Sequence, residues 1–224
     1  MDELINVKQY TIQLLGLDLT FNTEYILMTW AVMVILIVFS LLATRKAGLI
    51  PHPVQVVGEL LVGAFYDLTV QALDEERAKK YFPLICSLFM FLLLCNWIGL
   101  VPMMAEPTRD LNTTLGMGIL GGVIAHYSGI RAKGLKGYLK EYCEPLWPLA
   151  PLNVISEIAN VVSISFRLYG NIMGGAIIII VVSNLVYSLI LPPGLVFFFG
   201  IFVGGIQAFV FTMLTLVYIS LKVK

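Results

Sequence analysis

Charge is what this sequence has least of. Only 12% of its 224 residues are Asp, Glu, Lys or Arg, while 59% are apolar, and a soluble domain of this size would need more charge to cover its surface. Cysteine is scarce too. Cys86, Cys95 and Cys143 form no Cys-x-x-Cys pair and no metal-ligand spacing with the two histidines, His52 and His126, so they read as small apolar side chains. There is no His-Glu-x-x-His zinc motif, nucleophile elbow or phosphate loop, which removes the common enzymatic readings. The N-terminus starts with Asp2 and Glu3 and lacks a basic stretch and a small-residue cleavage site ahead of its first long apolar run. No signal peptide is expected, and the first span is expected to stay.

What is present is a series of long apolar runs, each the length of a membrane crossing. The fold class they predict is an all-α polytopic membrane protein with five transmembrane helices and one interfacial amphipathic helix. Residues 1–24 form an outer N-terminal segment; 25–43 are span one, 51–73 the interfacial helix, 81–105 span two and 111–130 span three. Span four covers 152–191 and span five 194–221, with Pro192-Pro193-Gly194 as the turn between them. A helix rises about 1.5 Å per residue, so spans four and five exceed a hydrocarbon core of about 30 Å and are expected to tilt or bend.

Orientation follows from the basic residues, which stay on the cytoplasmic side. The connections 44–80 and 131–157 and the C-terminal tail hold 11 of the 14 Lys and Arg, leaving Lys8, Arg109 and Arg167. The predicted topology is N-terminus outside and C-terminus cytoplasmic, in the plasma membrane of a bacterium. In residues 51–73, Val54, Val57, Leu61, Phe65 and Leu68 recur at three- and four-residue steps while Glu59 and Asp67 interrupt them. That pattern suits a helix lying at the interface, either docking another subunit or serving as an anchor.

Residues 116–121, GMGILG, match a dinucleotide-binding pattern but lie inside a membrane span with no preceding strand, so nucleotide binding is not expected. Gly118 and Gly122, Gly170 and Gly174, and Gly200 and Gly204 make Gly-x-x-x-Gly steps, for which close helix packing is the expected role. His52 and His126 read as satisfied or interfacial side chains.

Arg167 demands more. It is the one charged residue between Glu157 and Lys222, and an arginine near the bilayer centre costs from about 2.5 to more than 10 kcal/mol. Its guanidinium cannot escape by deprotonating. Glu157, ten residues away, lies about 15 Å along a helix and rotated by roughly 80 degrees, a poor partner; a carboxylate from another chain would serve. Ser163, Arg167, Gly170, Asn171 and Gly174 share one helix face, and Gly200, Gly204, Gln207 and Phe211 follow the same spacing on the next helix. Two such stripes would make one shallow, wettable surface with a fixed positive charge. The plainer reading is a helix contact sealed by an arginine-to-amide hydrogen bond.

The stretches SFRLYGNIMGG, IQAFVFTMLTLVYIS, EPTRDLNTTLGM and YFPLICSLFMFLLLCNWIGLVP resemble segments of subunit a of the rotary F-type ATP synthases. The resemblance runs from about residue 80 to the C-terminus. It implies a non-catalytic stator facing a ring of c subunits, each with a membrane-embedded carboxylate, alongside the b subunits of the peripheral stalk and the rest of the synthase. On it, Arg167 attracts each passing ring carboxylate, makes it release its ion and separates two aqueous half-channels, with Gln207 beside it and Asn171 one turn away. It implies no cofactor; the transported species is Na+ or H+.

The candidate half-channel residues are Glu157, Asn160 and Ser163 on the inner side and Asp110, Asn112, Asn184 and Gln207 toward the outer side. A cap before span three is the other reading of Asp110. Many proton-coupled relatives have titratable groups where this chain has Ala176 and Gly200, and a Lys-Pro where it has Asn160-Val161. A sodium path needs neutral oxygens and water rather than titrating groups, so sodium coupling is the expectation. The rival reading is a stand-alone secondary transporter with Arg167 as an anionic-substrate site; the lack of an evident internal repeat argues against it.

Overall fold

A computed structural model describes residues 9–14, 17–44, 53–101, 104–143, 150–185 and 191–223. Six helices dominate it. They are α1 (Thr23–Thr44), α2 (Pro53–Ala72), α3 (Glu75–Trp97), α4 (Leu111–Cys143) and α5 (Ala150–Leu185), followed by α6. The last comprises Leu191–Val196, a π-helical segment Phe197–Val203, and Gly204–Val223. Two short 3-10 turns, Ile98–Leu100 and Pro107–Arg109, join α3 to α4.

The N-terminal segment departs from the all-α expectation. Strands β1 (Gln9–Leu14) and β2 (Leu17–Asn22) pair antiparallel, with Gln9 opposite Asn22 and Leu14 opposite Leu17. The signal was present in the alternation of polar and apolar residues in QYTIQL and LDLTFN, a strand period rather than a helical one.

Four helices are long and apolar enough to cross a membrane: Thr23–Thr44, Glu75–Leu100, Ala150–Leu185 and Pro193–Val223. The fifth expected span, 111–130, is helical within α4, but its glycines, Asn112, Thr113, Thr114 and His126 make it less apolar than the others. It packs against both α5 and α6. Gly118 and Gly122 permit this. A Cβ at Gly118 would fall 2.1 Å from Ser165 Oγ, and one at Gly122 would fall 2.9 Å from Val161 Cγ2, so the backbones of α4 and α5 touch as the glycine spacing predicted.

The core runs along α6, whose Ala208, Phe211, Leu216 and Ile219 are fully buried against Ile85, Leu88 and Leu92 of α3 and Ile164 and Leu168 of α5. Buried hydroxyls are satisfied within their own helices: Ser165, Thr212 and Thr215 each donate to the carbonyl four residues back, at 2.8–2.9 Å. Without water, a helix must meet its own polar needs in this way. Helix α1 stands apart and buries only Val32, against Cys95 and Ile98. Met28 and Leu36 pack against the same cluster, while most of its remaining apolar side chains face outward, as a lipid-facing span requires.

Helix α2 confirms the helical reading of 51–73 over Pro53–Ala72, and its second half is docked. Phe65 packs on Phe89 at 4.4 Å between ring centroids, and Tyr66 on Phe82 at 5.5 Å, while Val57 and Leu60 remain exposed. Ser220 Oγ of α6 donates to the Ala72 carbonyl at 2.7 Å, so the end of α2 and the end of α6 lie together.

Helix α4 is broken at Gly134, whose φ of 74° and ψ of 158° suit glycine almost alone. The break has a measurable result. His126 and Tyr138, twelve residues apart, would lie about 18 Å apart in a straight helix, yet His126 Nδ1 and the Tyr138 hydroxyl are hydrogen-bonded at 2.5 Å. Replacing Gly134 with Ala is therefore expected to destabilise the protein by about 1–3 kcal/mol, read as a lower midpoint of thermal unfolding in detergent. An unchanged midpoint would show that α4 does not need this reversal.

Candidate functional site

Helix α5 presents two environments along its length. Ile164, Ser165, Leu168 and Ile172 are buried against the bundle, whereas Ser163, Phe166, Arg167, Gly170 and Asn171 are exposed. A Cβ added at Gly170 or Gly174 would meet nothing within 4 Å. This Gly-x-x-x-Gly step is therefore not a helix contact within the chain, in contrast to the one on α4. It leaves an open, small-residue strip around Arg167, flanked by exposed Phe166, Ile177 and Ile178.

The companion stripe on α6 behaves differently from the expectation. Gly204, Gln207 and Phe211 are buried because they face α3, where a Cβ at Gly204 would lie 3.2 Å from Asn96 Cβ. A single wettable surface made by both helices is thus not what forms. The stripes meet at one point, where Asn171 Nδ2 donates to Gln207 Oε1 at 2.6 Å. Gln207 Nε2 is buried with no hydrogen-bond partner among the described residues. The guanidinium of Arg167 has no ion-pair or hydrogen-bond partner among the described residues either, so the arginine-to-amide seal is absent there.

Two cavities flank this point. The larger, of about 430 Å³, lies between α4, the first half of α5 and the end of α6, and its walls include His126, Glu157, Asn160, Tyr218 and Lys222. The smaller, of about 140 Å³, lies between the α3–α4 link, the second half of α5 and the start of α6; it is lined by Asn96, Glu106, Arg109, Asn171, Ala176 and Gly200 among others. Asn160 is seven residues before Arg167 and Asn171 four after it, about 10 Å and about 6 Å along the helix. Leu168, Ala208 and Phe211 are fully buried in the bundle. Along α5, exposed Arg167 thus lies between Asn160 of one cavity and Asn171 of the other.

Charge in the larger cavity is organised around Glu157. Its carboxylate pairs with Lys222 Nζ and lies 3.3 Å from His126 Nε2. His126 is thus a satisfied side chain, as expected, but also a wall of this cavity. Neither it nor Lys222 could be linked to Glu157 from sequence, since the pairs join three helices. Asn160 lines the same cavity, while Ser163 sits on the open strip.

On the other side, the predicted residues are not the lining ones. Asp110 Oδ1 accepts from the backbone N–H of Asn112 at 3.3 Å and from Asn112 Nδ2 at 3.4 Å, which is the capping role at the start of α4. Asn184 Nδ2 donates to the Ile180 carbonyl of its own helix at 2.9 Å and stays exposed. Gln207 reaches this cavity only through Asn171. The polar wall comes from Asn96, Glu106 and Arg109, which sequence reasoning missed. The signal available was Glu106 itself, the first residue of the EPTRD stretch at 106–110.

What holds that wall is a buried hydrogen-bond node. Asn96 Nδ2 donates to the Gly204 carbonyl at 2.7 Å, and Asn96 Oδ1 accepts from Thr108 Oγ1 at 2.7 Å. Asn96 and Thr108 are essentially inaccessible, so α3, the link and α6 are tied at one place. Replacing Asn96 with Leu strands the Thr108 hydroxyl and is expected to cost about 1–3 kcal/mol. The double variant Asn96→Leu/Thr108→Val should recover part of that loss, measured as unfolding midpoints in a double-mutant cycle; strict additivity would contradict the node.

Known proteins place this architecture. A family model described as ATP synthase A chain matches residues 26–220. The chain is 38% identical over 192 residues to ATP synthase subunit a of Moorella thermoacetica, covering 86% of this chain and 87% of that protein. It is 32% identical over 211 residues to ATP synthase subunit a of Desulforamulus reducens, covering 91% and 80%. Against ATP synthase subunit a 1 of Pelobacter propionicus it is 36% identical over 196 residues, covering 86% and 84%. This apolar helical bundle, with Arg167 exposed on α5, thus belongs, by sequence, to the ATP synthase A chain family.

Proposed function

We propose that this chain is the ion-conducting stator of a rotary ATP synthase. In this reading it spans the membrane five times and catalyses no covalent chemistry itself. The observation that carries the reading is Arg167, exposed on α5 between two cavities that share no lining residue. In this reading an ion entering one cavity is moved past the arginine by a carrier outside the chain. A ring of c subunits with one carboxylate each is such a carrier. The open strip of Gly170 and Gly174 leaves room for close approach, and the guanidinium, which stays charged, attracts the carboxylate and displaces its cation. The same charge repels free cations, so passage without rotation is blocked. Each ion crossing the membrane contributes about 2.3 kcal/mol per 100 mV.

The larger cavity sits at the end where the basic segments gather, near Lys222 and the Ala72–Ser220 contact, and is assigned to the cytoplasmic side by the positive-inside rule. The smaller cavity then opens toward the outside of a bacterial plasma membrane. Partners are the c-ring, the peripheral-stalk b subunits and the remaining synthase.

For the transported ion, sodium remains the proposal from the apolar Ala176 and Gly200. A specific observation favours the proton as second reading. Both cavities carry carboxylates, Glu157 and Glu106, so an apolar residue at 176 or 200 does not mean a cavity without titratable groups.

Arg167→Ala is expected to abolish ATP synthesis and ATP-driven ion pumping by at least a hundredfold while the c-ring still copurifies. Retained pumping would end the stator reading. ATP hydrolysis by the purified complex, with sodium varied from micromolar to millimolar at fixed pH, decides the ion. Stimulation together with sodium protection of the ring carboxylate against carbodiimide supports sodium, and absence of both supports the proton.

A further inference from the structure

The smaller cavity has a carboxylate where neither long helix supplies one. We infer that Glu106, on the α3–α4 link, is the residue through which the transported cation passes in this cavity, taking the place of titratable groups on α5 or α6. The inference rests on the reading of the two cavities as ion passages.

Three features of the structure point to it. First, the α5 and α6 walls of this cavity are Asn171, Ile172, Ala176, Ile180, Phe199 and Gly200 among others, all without charge. Second, the link is held rigidly. Thr108 is pinned through Asn96 to Gly204, and Glu106 and Arg109 flank it, three residues apart across the 3-10 turn Pro107–Arg109. Third, Glu106 is seated rather than free to swing. Its side chain is 17% exposed, and Oε2 lies 3.2 Å from Arg109 Nη2. Its other oxygen, Oε1, points at Gly99, where a Cβ would fall 2.0 Å away. No side chain other than glycine's at position 99 leaves the carboxylate where it is.

The Glu106–Arg109 pair is not a saturated lock. Arg109 Nε is buried with no hydrogen-bond partner among the described residues, and Glu106 Oε1 makes no hydrogen bond among them. That leaves one carboxylate oxygen to take up a cation, a proton as an O–H bond or sodium as an ion contact, and to release the same species toward the ring carboxylate. Arg109 holds the group in place, with Nη2 3.2 Å from Glu106 Oε2. Tyr25 of α1 interacts electrostatically with both members of the pair, and also with Asp110 of the link and Glu24; the cavity walls from α5 and α6 carry no charged residue.

The test uses membranes containing the assembled synthase, with ATP synthesis and ATP-driven ion pumping as readouts and copurifying c-ring as the measure of assembly. Glu106→Gln is expected to lower both rates at least tenfold with assembly unchanged. A carboxylate restored nearby, by Glu106→Asp or by Glu106→Gln/Ala176→Glu, is expected to bring at least one of these variants back to within about threefold of the parent. Neutralising the pair as Glu106→Gln/Arg109→Gln should not restore activity. The inference is overturned if Glu106→Gln works normally, if neither carboxylate-restoring variant recovers, or if the neutral pair does, since that last result would make the pair a structural latch. Arg167→Ala in the same membranes separates the two readings: if it pumps normally the stator reading has failed, and if it is inactive while Glu106→Gln is normal only this inference has.

Discussion

A guanidinium that cannot lose its proton, set in surroundings with almost no other charge, governs the rest of this molecule. Arg167 sits in a 64-residue stretch, between Glu157 and Lys222, that contains no other charged residue. A protein can tolerate such a group in a membrane by pairing it, hydrating it or leaving it for a partner. The bundle does the third. It turns the apolar residues of α5 inward, keeps Arg167 on the outside, and clears the neighbouring surface with glycines that touch nothing.

The same economy explains where the other polar groups lie. In an apolar bundle each buried donor and acceptor needs a partner within the protein. Helical hydroxyls return to the carbonyl of the preceding turn, and the amide of Asn96 joins α3, the link and α6 in one node. Charged side chains line both cavities: Glu157 and Lys222 the one, with His126 beside them, and Glu106 and Arg109 the other. Leu168, Ala208 and Phe211 are fully buried in the same bundle. In the proposed function, an outside carrier moves the ion from one pocket to the other past the cation on α5.

Glycine has opposite uses on adjacent helices. Gly118 and Gly122 bring α4 against α5, whereas the identically spaced Gly170 and Gly174 face open space. Spacing alone cannot tell these apart, because both permit close approach and only the neighbours decide whether anything approaches. For the same reason the α6 stripe could be recognised by its period but not by its direction. Gln207 faces inward because α3 lies there, and it touches the α5 stripe only through Asn171.

Length, hydropathy and the shortage of charge determined by themselves that the chain is a bundle of apolar helices. The isolation of Arg167 among apolar residues was determined in the same way. Those are one-dimensional properties, set by runs and periods along the chain. The tertiary structure alone decided which side chains share a cavity, because those contacts join residues far apart in sequence. Lys222 meets Glu157, Asn96 meets Thr108 and Gly204, and Glu106 enters the cavity of Ala176 and Gly200. Periodicity records the face a residue occupies on its own helix; only the packing of helices against one another supplies what that face meets.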